Sequence, residues 1–339
     1  MPTSQFIVYS SADPGNGSDQ PGPLLGTAGD LLRILDKCLV NGYTGKTAAG
    51  WTKPIANSGN IGVYKNSGSA MTLLINDNGP NVTSTFKEAW ATGWESVASI
   101  AAPVGTGTGQ FPTPAQLLTT GHVVVRKSAT ADSTARNWLI YADAYTFYLF
   151  IRSEGETFYT ATVFGDIYSL KGSADLYRCI LMGQFIENAV PNNSNCSTHL
   201  LGAASSSTTS IAAAQSGHYM PRSYTGGGSS VSVLKMGDNA FIYNISNVLP
   251  MSGLMSGVNW PDNSLYLPPI RIGESATSAY RGRLRGCYHV LQFATAFTNG
   301  GTFNGSNDLA DKTFTTLIGF ESAVPTVWCI ETSATVETN

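Results

Sequence analysis

Charge is scarce in this chain. Only 12% of its 339 residues are Asp, Glu, Lys or Arg, about half the usual share for a soluble domain. The 19 basic and 22 acidic residues leave a formal net charge of −3. Without a basic excess there is no global pull toward nucleic acid or anionic lipid, so no specific nucleic-acid binding is expected. Long apolar runs are also missing. No stretch reaches the ~18 consecutive apolar residues that suggest a membrane span. The opening residues, "MPTSQFIVYSSADPGNGSDQPGP", lack a basic segment followed by an apolar one, so no signal peptide is expected. The four histidines, His122, His199, His218 and His289, are far apart and show no metal-binding spacing. No metal or cofactor is expected. The five cysteines, Cys38, Cys179, Cys196, Cys287 and Cys329, are odd in number and form no Cys-x-x-Cys pair. They read as free, mostly buried thiols made in a reducing cytoplasm.

What remains can still build a core. Hydrophobic residues make up 42% of the chain, enough for one large domain or two ordinary ones. Polar surface has to come from Ser, Thr, Asn and Gly. That mixture suits turn-rich β structure and large protein contacts.

The pattern along the chain reads as four regions. Residues 1–26 hold a short strand, "QFIVYS", and a turn-rich arm that is expected to order only against a partner chain. Residues 27–187 form a helix plus β domain. The segment 188–217 is rich in Ser, Ala and Asn and reads as a linker or surface loop. Residues 218–339 make a second β-rich region. The clearest helix is expected at about 28–41, with Thr27 as N-cap, Asp30 in capping-box register and Gly42 as the C-terminal stop. Leu31, Leu32, Ile34, Leu35, Cys38 and Leu39 supply its apolar stripe. Elsewhere, closely spaced runs such as "GHVVVRKS", "RNWLIYAD", "TFYLFIRS" and "YTATVFGDIYSL" read as antiparallel strands, because parallel pairing would need crossover helices. The fold class is therefore mainly β, with antiparallel sandwich- or barrel-like sheets, one N-terminal amphipathic helix, and one or two β sub-domains.

"VNGYTGKTAAGW" at 40–51 contains Gly45-Lys46-Thr47, the ending of a phosphate-binding loop. Its spacing fails, because Val40 stands where the first glycine belongs, and a helix precedes it instead of a strand. "GTGTG" at 105–109 lacks strand–helix flanks and reads as a flexible or close-packed loop. No Gly-x-Ser-x-Gly is present. Asp77, Glu88, Glu95, Asp143, Asp166 and Glu274 could supply a carboxylate pair, but spacing selects none, and most read as turn formers or edge-strand charges. "RIGESATSAYRGRLRG" at 271–286 concentrates Arg271, Arg281, Arg283 and Arg285. These four are candidate interface residues, for an acidic partner or a phosphate backbone, against a plainer reading as intersubunit or internal salt bridges. The aromatic run "WLIYADAYTFYLFI" most simply furnishes a β core, with a carbohydrate platform as the alternative.

Five runs together carry a resemblance. They are "DLLRILDKCLVNGYTGKTAAGWTKP", "GTGTGQFPTPAQ", "SATADSTARNWLIYADAYTFYLFI", "HYMPRSYTGGGSSV" and "RGRLRGCYHVLQ" with "DLADKTFTTLIGF". In this order they resemble a family of virion structural proteins of tailed bacteriophages and prophages. The resemblance implies a virion component made in the bacterial host cytoplasm, and carries over no catalytic residue. The expected function is that of a copy-repeated, homo-oligomeric, non-enzymatic subunit of the tail, collar or baseplate. Its partners would be other copies of itself and neighbouring virion proteins. Two alternatives stay open: a capsid decoration or cement protein, and a tail protein that binds or degrades host-surface glycan. If the Gly45-Lys46-Thr47 run is only a turn, Lys46→Ala should leave folding and assembly nearly intact and calorimetry should detect no nucleotide affinity to lose.

Overall fold

The fold is seen in a computed structural model that describes residues 5–14, 19–77, 86–116, 120–153, 159–184, 216–227, 231–236, 267, 269–274, 279–289, 298–318 and 327–333. It is mainly β, with 48% of the described residues in strands and 9% helical. The strands, in chain order, are β1 (Ile7–Ser10), β2 (Ile61–Lys65), β3 (Thr72–Asn76), β4 (Lys87–Ser99), β5 (Thr106–Phe111), β6 (Val123–Ser128), β7 (Trp138–Ala142), β8 (Thr146–Ile151), β9 (Thr160–Asp166), β10 (Tyr168–Ser169), β11 (Cys179–Gln184), β12 (Ser216–Met220), β13 (Val231–Met236), β14 (Pro269–Glu274), β15 (Ala279–His289), β16 (Thr302–Asn304), β17 (Thr313–Ile318) and β18 (Val327–Glu331). All their pairings are antiparallel.

The middle layer is the sheet β1–β7–β8–β9–β11–β12. Side chains alternate along a strand, and here both faces are covered. On β8, Phe147, Leu149 and Ile151 enter one core, while Tyr148 and Phe150 enter another. β11 divides the same way, with Cys179 and Leu181 on one side and Ile180 and Met182 on the other. This explains why "TFYLFI" is apolar at nearly every position, although its pairing is antiparallel.

The first core lies between this sheet and a layer made of the N-terminal helix and β2–β3–β4–β6. The second lies between it and the C-terminal sheet, β14–β15–β18–β17–β16. β13 joins the two sheets at a corner. Its first residues pair with β12, and Val233–Met236 pair with β14. Three layers of open sheet result, with no closed barrel. Of the segment 188–217, only Ser216 and Gly217 fall among the described residues, where they begin β12. Gly237-Asp238-Asn239, which in "SVSVLKMGDNAFIYNI" has the residues of a hairpin turn, lies outside them.

The helix is shorter and differently capped than its sequence suggests. α1 spans Asp30–Leu35, and Asp36–Asn41 continues it as a π-helical turn. Thr27 is not the cap. Gly29 holds that position at φ 82°, with no side-chain cap of its own. The Leu31 N–H is met instead by the carboxylate of Asp77, at 2.8 Å. Asp30, rather than closing a capping box, accepts from the Leu25 N–H and from Arg33 Nε, each at 2.6 Å. Gly42 does end the helix, at φ 74°. A Cβ there would come within 2.9 Å of the Lys46 carbonyl. Beyond it the chain turns back through Tyr43–Lys46, so that the Ala49 and Trp51 N–H groups reach the carbonyls of Cys38 and Leu39. Lys46 Nζ donates to the Val8 carbonyl at 2.7 Å, joining this turn to β1.

Two further expectations need correcting. The glycine-rich run at 105–109 is not a loop but mostly strand β5, hairpinned onto β4. The glycines permit close approach, since a Cβ at Gly107 would lie 2.0 Å from the Ser96 carbonyl. The arm, where described, is ordered by its own chain. Trp138 Nε1 donates to the Gly22 carbonyl, and Leu24 pairs with Arg136.

Asp77 is the strongest test of this arrangement. It is fully buried against Lys127, whose amine also donates to the Thr27 carbonyl. Burial raises the Asp77 carboxyl to about 6, with Asp30 adding to the rise while Lys127 and the Leu31 N–H oppose it. The folded form therefore binds this proton more tightly than the unfolded form. Its contribution to stability is fully present below the unfolded value and falls as pH rises through about 6. Asp77→Asn should remove that part of the pH dependence in urea titrations. At pH 7 it should also destabilise by ~3–5 kcal/mol, because Lys127 would be left buried without its counter-ion.

Candidate interaction surface

The six carboxylates considered for catalysis all have cationic partners. Glu88 pairs with Arg126, Asp77 with Lys127, Asp143 with Arg285, Asp166 with Arg178, Glu95 with Arg222 and Glu274 with Arg281. Five of the six are buried in ion pairs, so the expectation of turn formers or edge-strand charges fits Asp143, which caps a turn, better than the rest. Glu88 and Arg126 sit directly opposite each other across β4 and β6. The Asp143 carboxylate also accepts from the Tyr145 and Thr146 N–H groups, closing the β7–β8 turn. Burial raises the Asp166 carboxyl, against the pull of Arg178, Ser69 and Asn66. No two of these carboxylates are brought together as an acid–base pair by any contact among the described residues.

The four arginines expected at an interface divide into two kinds. Arg281 and Arg285 are buried in internal ion pairs with Asp175 and Glu274 and with Asp143. Arg283 and Arg271 are half-buried. Arg283 stacks over the Tyr168 ring, with its guanidinium 5.4 Å from the centroid. Arg285 lies 4.8 Å from both the Tyr145 and Tyr168 rings.

Arg281 has the most complete set of partners. Its Nε and Nη2 fork onto Asp175 at 2.7 and 2.8 Å. Nη1 donates to Glu274 and to the Arg222 carbonyl, and Nη2 also reaches the Tyr177 carbonyl. All five N–H donors of the guanidinium are thereby used. Burial alone would raise the Asp175 carboxyl, but hydrogen bonds from Arg281 and Ser169 outweigh it, so the group sits below its ordinary value. One side chain thus ties together the turn at 170–177, the turn at 222–227 and the β14–β15 hairpin.

Those elements expose an apolar face. Five large hydrophobic residues are exposed among the described residues: Leu25, Leu170, Leu176, Tyr224 and Tyr280. Four of them sit on or beside the segments that Arg281 joins, with Leu170 66% and Leu176 63% exposed. Lys171 spans two segments, bonding the Tyr224 carbonyl and lying 5.1 Å from the centre of its ring. Arg222 forks onto Glu95 at 2.6 and 3.0 Å and stacks on Tyr177. A cluster of exposed leucine and tyrosine with flanking arginine has the composition of a protein contact surface. Sequence reading picked out Arg281 but not this face, because its parts come from three distant segments.

The other candidates are structural. The four described cysteines are free and buried. His122 stacks on Trp90 at 3.8 Å and hydrogen-bonds Thr120, and His218 is buried. No group of three or more metal-binding side chains occurs among the described residues. No helix there is long and apolar enough to cross a membrane.

Replacing Arg281 should disturb the whole face. Arg281→Ala removes the guanidinium shared by buried Asp175 and Glu274 and is expected to destabilise by ~3–5 kcal/mol in urea denaturation. Arg281→Lys should recover little, since an ammonium cannot reproduce the five-donor fork. Comparison of the whole chain with protein-family models and with curated proteins finds no match in either.

Proposed function

We propose that this chain is a structural component of a tailed bacteriophage virion, a copy-repeated subunit of the tail, collar or baseplate. The observation that carries the reading is the exposed leucine–tyrosine face braced by Arg281. Such a face is costly to leave in water and suits burial by a neighbouring protein. The five sequence runs that resemble virion structural proteins of tailed bacteriophages support the same reading. So does the use of the six candidate carboxylates in ion pairs rather than in a paired acid–base site.

A second reading has one observation in its favour. Exposed Tyr224 and Tyr280 could stack on sugar rings, as expected of a host-surface glycan binder. Two measurements separate the readings. Quantitative mass spectrometry of purified virions should find this chain at a fixed multiple-copy stoichiometry; its absence from mature particles would end the structural proposal. A glycan-binding screen with the purified chain should stay silent, and saturable binding abolished by Tyr224→Ala would favour the second reading.

A further inference from the structure

We infer that the face formed by Leu170, Leu176, Tyr224 and Tyr280 binds the acidic β16–β17 connection of a second copy of this chain. The inference deepens the proposed structural role and rests on it, because it names the surfaces through which copies would meet.

The first part of the argument is charge. Lys171 is exposed at the apolar face, and its described contacts are the carbonyl and ring of Tyr224, with no carboxylate in ion-pair reach. Arg222 beside it is already matched by Glu95. The face therefore offers one uncompensated cation set among leucine and tyrosine. An apolar partner would leave that ammonium without a counter-charge, whereas a partner carrying carboxylates would meet it.

The second part is where such carboxylates occur. In the β16–β17 connection, Asp308 and Asp311 are exposed and have no cationic partner among the described residues. The one lysine in that connection, Lys312, is buried against Glu331. The connection is held in shape by its own backbone, with a 3-10 turn at Asn307–Leu309 and the Gly305 N–H bonded to the Lys312 carbonyl. It is also anchored from within, since Leu309 and Phe303 pack on Phe314 and its neighbours. Two carboxylates are thus presented on a preorganised turn, which limits the ordering entropy lost on docking. An apolar face with a cation and a rigid turn with anions are complementary surfaces on one chain, the requirement for self-assembly.

The test uses the full-length chain and sedimentation velocity across a concentration series. Leu176→Glu and Lys171→Glu should each weaken self-association by about tenfold or more. Circular dichroism should stay unchanged and the urea midpoint should move little, since both side chains are exposed and Lys171 gives up only a solvent-exposed hydrogen bond to Tyr224. Asp308→Lys with Asp311→Lys should weaken it similarly. Combining that pair with Lys171→Glu should restore association to within about threefold of the original, because the swapped charges again meet. Failure of the swap to restore association overturns the pairing, and an unaltered Leu176→Glu variant overturns the face. A chain that stays monomeric up to ~100 µM overturns the inference altogether. Virion stoichiometry would still decide the structural role separately.

Discussion

A sheet covered on both faces governs this molecule. Strands β7, β8, β9 and β11 have no solvent side, so nearly every residue along them must be apolar or hydrogen-bonded. That requirement accounts for the scarcity of charge. It also explains why aromatic residues gather in one run, since large side chains fill two cores from a single strand. Trp51, Phe147 and Phe164 pack together on one side, while Phe150 meets Tyr141, Tyr159 and Trp328 on the other. Both outer layers depend on the middle one, because each closes its core against it.

With so much surface buried, the charges that exist are drawn inward in pairs. Arg126–Glu88, Lys127–Asp77, Arg281–Asp175 and Arg285–Asp143 all lie within the protein. Buried pairs of this kind add little net stability compared with apolar packing, yet losing one partner is expensive. Their effect is to fix position. Asp77 holds the start of α1 from the end of β3, Arg285 braces the β7–β8 turn, and Arg281 fixes the turns that carry the exposed leucines. The turns that carry the exposed leucines are therefore fixed from within by a fully bonded guanidinium.

Much of the local structure could be read from residue order. The closely spaced, aromatic-rich runs "RNWLIYAD" and "TFYLFIRS" located β7 and β8, and Gly42 was recognised as the helix stop, since a glycine at positive φ leaves a clear signature. Where the reading went astray, a distant residue had intervened. Thr27 looked like the cap because it stands before an apolar stripe, but Asp77, 46 residues from Leu31, supplies the acceptor. The run at 105–109 looked like a loop because glycine disfavours strands, yet β4 lies close enough to require glycine there. The shift from α to π geometry at Asp36 left no mark in the periodicity.

Composition and periodicity alone established a β-rich chain with one N-terminal helix and a buried aromatic run, because these follow from nearest-neighbour sterics and side-chain alternation. Only the folded arrangement decided which carboxylate meets which cation, which strand is covered on both faces, and that the exposed Leu170, Leu176, Tyr224 and Tyr280 lie on segments joined through Arg281. The reason is physical. Ion pairs and surface patches are made by side chains from segments up to 142 residues apart, as in Arg285 and Asp143. Their energies depend on distance and burial in space, which residue order does not encode locally.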